Sequence, residues 1–120
     1  MPQASDTAHR ATSGRVTLEQ AAALLPTPDG RRSATVFEHG SLQVKLYAPR
    51  GSDPQTPHGR DEIYVVAQGE GWFVCDGRRE RFGPQDVLFV AAGVAHRFED
   101  FSADLAVWVF FYGPEGGEGA

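Results

Sequence analysis

Two histidines and a glutamate are the side chains best placed to do chemistry. His58 and Glu62 lie in Thr56-Pro57-His58-Gly59-Arg60-Asp61-Glu62, and His96 closes Ala91-Ala92-Gly93-Val94-Ala95-His96. Imidazoles and carboxylates ligate divalent metals and move protons. Between them run short β-type segments, punctuated by Gly69, Gly71, Asp76-Gly77 and Gly83-Pro84. Such a layout can bring three residues that are distant in sequence to one point.

The segments that must position them read as strands. Glu62, Tyr64 and Val66 share one face of their segment, with Ile63, Val65 and Ala67 on the other. Asp76-Gly77 is a two-residue hairpin turn joining Trp72–Cys75 to Arg78–Phe82. Gly83-Pro84-Gln85-Asp86 turns the chain into Val87–Val90, Gly93 leads into His96–Phe98, and Leu105–Tyr112 forms the last strand. Upstream, Ala34–Glu38 and Ser41–Ala48 flank His39-Gly40, which reads as a surface turn. Thr17 is set to cap a short helix, with Gln20 as its capping-box partner. Leu18, Ala21, Ala22 and Leu25 are expected on its buried side, and Pro26 and Pro28 stop it. Many short strands with evenly spaced turns mean an all-β sandwich or barrel.

Composition narrows the classes. A chain of 120 residues is most simply one domain, small enough to gain from dimerisation. Eleven Lys and Arg against sixteen Asp and Glu give a net charge of −5, and no basic face is evident, which argues against nucleic acid. Arg78, Arg79 and Arg81 read as a solvated edge. No apolar run is long enough to span a bilayer. The lone Cys75 cannot form an intrachain disulfide and reads as a small apolar filler. Residues 1–14, which include His9, are expected to be a flexible leader without a signal-peptide core, 15–112 one barrel domain, and 113–120 a flexible tail. A cytoplasmic location is the default expectation.

Over roughly Ala34 to Tyr112 the chain resembles the cupins, whose fold is a double-stranded β-helix, or jelly-roll barrel. Their first motif runs from a glycine, through two histidines one residue apart, to a glutamate and a glycine. Gly51 stands near its opening, His58 fits the second histidine, Glu62 the glutamate and Gly69 the closing glycine. The second motif is matched by Gly83, Asp86, Gly93 and His96; these core motifs span 51–98. Two positions depart. Thr56 stands where the first histidine belongs, and Ala91 where the second motif has proline. Asp100 is the nearest counterpart of the polar residue sometimes found after the last histidine.

The resemblance implies an all-β cupin barrel with a short N-terminal helix and a divalent metal held by His58, Glu62 and His96. Two imidazoles and one carboxylate suit Fe(II) and also accept Zn, Mn, Ni or Co. With a divalent ion the site would carry +1, an environment for an anionic or enolisable oxygen substrate. Asp53 or Gln55 could fill a fourth position. Tyr64 is the candidate catalytic or substrate-orienting group, and Gln55, Thr56, Phe98 and Trp108 are expected to line the site. Further interior candidates are Trp72 or Phe73, Phe89, Trp108 or Val109, and Phe110. The expected function is a dioxygenase-like oxidoreductase acting on a small molecule, as a homodimer. Against it stand a metal-dependent isomerase or decarboxylase and a non-catalytic ligand- or metal-binding module. In the metal-free alternative, His58 hydrogen-bonds Glu62 inside the barrel and His96 donates to the backbone or to water.

Overall fold

The structure, a computed structural model, describes residues 13–119. The leader therefore lies outside the described residues apart from Ser13 and Gly14. Among these residues there is one short helix, α1 (Leu18–Ala22), followed by eight strands: β1 (Ser33–His39), β2 (Leu42–Tyr47), β3 (Asp61–Gln68), β4 (Gly71–Cys75), β5 (Arg78–Phe82), β6 (Val87–Val90), β7 (His96–Glu99) and β8 (Ala106–Tyr112). A five-stranded sheet runs β1-β2-β8-β3-β6 and a three-stranded sheet runs β5-β4-β7. Every pairing is antiparallel. This is a two-sheet jelly roll.

The turns explain the path. At Asp76 and Gly77 the backbone takes φ of 53° and 80°. Positive φ at both central residues is what a tight hairpin between right-twisted strands requires. After β3 the chain passes Leu105 closely: a Cβ on Gly69 would lie 2.7 Å from the Leu105 Cα, at a backbone φ of +94°. A side chain there is excluded by contact and by conformation.

The inner faces of the two sheets meet in one core of Tyr64, Val66, Phe73, Phe82, Val90, Phe98, Leu105, Val107 and Val109. Aromatic rings bridge the sheets, Tyr64 meeting Phe73 and Phe98 edge-on at 5.8 and 5.1 Å between centroids. The opposite face of the five-stranded sheet carries a second cluster, where Val36, Val44, Leu46 and Ala106 pack with Ala21 of α1. The Thr17–Gln20 capping box forms in both directions. Ala22 is nevertheless exposed, and Leu24 packs on the sheet instead, because a five-residue helix is too short for its second face to reach the sheet.

Alternation leaves one choice open in each strand, namely which face is inside, and packing settles it. Phe73 enters the core, whereas Trp72 faces out beneath the Arg79 guanidinium at 4.3 Å. Val109 is buried in the core, whereas Trp108 and Phe110 pack on the helix side. Phe89, an interior candidate, is 56% exposed on β6, beside Val87 at 66%. Cys75 packs against the core and burial pushes its thiol pKa up, as suits a filler.

Residues 113–118 make backbone hydrogen bonds to the barrel. The Gly113 N–H donates to the Ser41 hydroxyl, and the Gly116 N–H to the Gly59 carbonyl at 2.7 Å. Asp61 accepts from the Glu118 and Ala92 N–H groups, which draws the tail across the loop that carries His58. Those two backbone donors, Glu118 first, hold the Asp61 carboxyl below its usual range.

Two measurements check this architecture. Leu46→Ala, at a site with no exposure, should cost about 2–5 kcal/mol in urea unfolding, while Phe89→Ser should stay within about 0.5 kcal/mol. Because Asp61 has a depressed folded pKa, its contribution is complete above the unfolded value of about 4 and is lost as pH falls through the folded one. Wild type should therefore lose more of its urea midpoint on acidification than Asp61→Asn does, and amide exchange at Glu118 should be faster in the variant.

Candidate metal centre

Three elements bring the cluster together. Glu62 is the second residue of β3, flanked by Phe111 of β8 and Val90 of β6, and its side chain points inward with no exposure. His58 lies in the loop before β3, and His96 opens β7 in the opposite sheet. The Gly93 N–H donates to the His58 carbonyl at 2.8 Å, so the two motif loops are tied directly to each other. The sheets thus close over Glu62 from both sides. Each of His58, Glu62 and His96 offers a ligand atom within 4.8 Å of the others.

Contact geometry within the cluster is specific. Glu62 Oε1 lies 2.8 Å from His58 Nδ1 and 2.9 Å from His96 Nε2. His96 Nδ1–H donates to the Val94 carbonyl at 2.9 Å. That bond sets the tautomer, so a neutral ring presents the Nε2 lone pair to the carboxylate. Burial opposes charge on His96, but its hydrogen bonds to Glu62 and Val94 prevail and raise its pKa. Burial likewise opposes ionisation of Glu62, and the two imidazoles outweigh it and lower its pKa. The cluster favours a carboxylate faced by positive charge.

A proton or a metal ion could supply that charge, and one atom separates them. Glu62 Oε2 is buried and has no hydrogen-bond partner among the described residues. Protons on both histidines would satisfy Oε1 and leave Oε2 bare, at a cost of a few kcal/mol, whereas an ion held by both carboxylate oxygens would engage it. Two ligand atoms at right angles, each about 2.1 Å from an ion, lie about 3 Å apart, close to the spacings found here. The residues present therefore fit a divalent metal. The His58–Glu62 contact and the His96–Val94 bond, expected of a metal-free cluster, are equally what orients ligands for an ion.

The remaining sequence candidates have definite places. The Tyr64 hydroxyl lies 3.0 Å from His96 Nε2 and donates to Gln55 Oε1 at 3.1 Å; burial raises its pKa. Gln55 lines the cavity above the cluster, whereas Thr56 is exposed and is absent from that lining. Phe98 is buried under Tyr64 in the core, and Trp108 faces α1. Asp53 is not free to ligate. It accepts hydrogen bonds from the Tyr47 hydroxyl, the Gln55 side-chain amide and the Phe98 N–H. It joins β2 to β7.

The cavity also holds residues not anticipated as part of the site: Lys45 and Tyr47 of β2, Arg31, Arg32, Arg50 and Phe111. Phe111 meets the His58 ring edge-on at 5.0 Å. Period-two alternation put Lys45 opposite Val44 and Leu46, which was the available signal. It became readable once those two were known to face α1.

Comparison with known proteins agrees with this architecture. A family model described as a cupin domain matches residues 43–112. An uncharacterised protein of Streptomyces coelicolor is 38% identical over 77 residues, covering 62% of this chain and 73% of that protein. A protein named endoribonuclease YbeY from Myxococcus xanthus is 34% identical over 77 residues, which is 58% of this chain but 26% of that protein. Among solved structures, a Cupin 2 conserved barrel domain protein from Salinispora arenicola superposes with a TM-score of 0.64 at 19% identity, covering 87% of this chain and 91% of that one. The motif residues, the two-sheet barrel and a family match over more than half of the sequence lead to one conclusion: the chain belongs to the cupin domain family.

Proposed function

We propose that this cupin binds one divalent metal through His58, Glu62 and His96 and uses it on a small molecule by Lewis-acid chemistry of the isomerase or decarboxylase type. The observation that carries the reading is the buried, unpartnered Oε2 of Glu62 beside two imidazole nitrogens that share Oε1. A bound divalent ion would polarise a substrate oxygen and stabilise negative charge developing there. The chain's own residues do the rest. Glu62 and His96, wholly buried, hold their positions without reorganisation, and Val94 keeps the His96 ring oriented. The Tyr64 hydroxyl, wholly buried and off the cavity lining, is fixed by Gln55 and braces the cluster beside His96 rather than meeting substrate. Val109 and Phe111 keep one side of the cavity apolar.

A dioxygenase reading with Fe(II) uses the same donors, but it requires O₂ as co-reactant, whereas the Lewis-acid reading needs only substrate. A homodimer would have the exposed edge of β6, with Val87 and Phe89, available to cover.

Protein purified without added metal should carry about one equivalent of a divalent ion by elemental analysis. His96→Ala and Glu62→Gln should lose most of it; metal-free wild type after reconstitution with Fe, Zn, Mn, Ni and Co would overturn the reading. Tyr64→Phe should keep the metal and lose about tenfold in turnover through the loosened Gln55 and His96. Turnover of a substrate should proceed unchanged in anaerobic buffer, and stoichiometric oxygen uptake would instead favour the dioxygenase.

A further inference from the structure

The cavity above Glu62 has a cationic wall in an acidic protein. It measures about 440 Å³ and is lined by His58 and Glu62 together with Arg31, Arg32, Lys45 and Arg50. Glu62 is the one carboxylate on that lining, although the whole chain carries −5. Arg31 is already paired with Asp29 at 3.1 Å. Arg32 and Arg50 are not: among the described residues neither makes an ion pair with a carboxylate. Both instead donate to the Ala48 carbonyl, at 2.8 and 3.2 Å, and Arg50 also donates to the Pro49 and Leu105 carbonyls. Backbone anchoring fixes two guanidiniums side by side without neutralising either. Lys45 stands on the inner face of β2, in register with Val109, which also pairs with Tyr64. It is half-buried; burial and then Arg31 lower its pKa, while Glu38 acts the other way.

Positive charges gathered in a partly desolvated cavity repel one another and are stabilised by an anion between them. Guanidinium groups pair with planar carboxylates through parallel N–H···O bonds, and the volume is that of a small-molecule site. We propose that the cavity binds a small organic acid, with a carboxylate held by Lys45 and the Arg32–Arg50 pair and a second oxygen directed to the His58–Glu62–His96 cluster. The second contact rests on the metal reading of that cluster; the first does not.

Calorimetric titration of metal-loaded and metal-stripped protein with malonate, succinate and glutarate tests this, with the corresponding diamides and inorganic phosphate as comparisons. At least one diacid should bind the loaded protein, and more tightly than its diamide. Its affinity should fall by about tenfold or more in Lys45→Met, recover in Lys45→Arg, and fall likewise in Arg32→Gln. Metal content, measured on the same samples, should be unchanged by these substitutions, and each variant should unfold cooperatively. Diamides that bind as tightly as the acids, a Lys45→Met variant of unaltered affinity, or no diacid binding to protein that does hold metal would overturn the proposal and leave the metal reading intact. Phosphate binding tighter than every diacid would overturn the assignment to a carboxylate. Diacid binding through Lys45 in protein that takes up no metal would sustain this proposal and sink the metal reading.

Discussion

A carboxylate without access to water is the constraint on which the site depends. Glu62 is wholly buried, and an isolated anion in that setting is expensive unless charge and hydrogen bonds meet it. Positive character must therefore come from within the barrel, and it arrives from two distant segments: His58 in the loop before β3 and His96 at the head of β7. Bringing them together requires the three-stranded sheet to face the five-stranded one, with the Gly93–His58 backbone bond holding the loops in step. The jelly roll is in this sense the framework that lets one buried glutamate be compensated.

Around that centre, polar groups link elements that the strand ladders leave apart. Asp53 ties Tyr47 of β2 to the backbone of β7 and holds Gln55, which in turn receives the Tyr64 hydroxyl. A path of hydrogen bonds thus runs from the β2–β3 loop to the Tyr64 hydroxyl, which lies 3.0 Å from His96 Nε2. Chains of this kind polarise one another in a low-dielectric interior and give ligand side chains a single orientation. On the other side, Asp61 draws the C-terminal residues across the loop bearing His58. The loop is held from both directions.

Charge is distributed unevenly for a reason that total composition conceals. The net charge is negative, yet the cavity wall collects arginine and lysine. A cleft with walls of one sign focuses the field and concentrates counter-ions.

Local chemistry was legible in the residues alone. The Thr17–Gln20 capping box, the Asp76-Gly77 hairpin and the spacing of His58, Glu62 and His96 each depend on neighbours within a few positions or on motif intervals, and each lies where the sequence puts it. The strands were legible too, because alternation is a property of the chain. What alternation leaves undecided is which face turns inward, since the pattern reads the same from either side. Only packing across the barrel chose Phe73 over Trp72 and Val109 over Trp108, and sent Phe89 to the surface. The same choice turned Lys45 into the cavity, and tertiary contact brought Arg32 to the Ala48 carbonyl that Arg50 also reaches and the Phe98 N–H to Asp53. The Asp53–Phe98 bond joins residues 45 apart in sequence, so its existence is decided when the two sheets close.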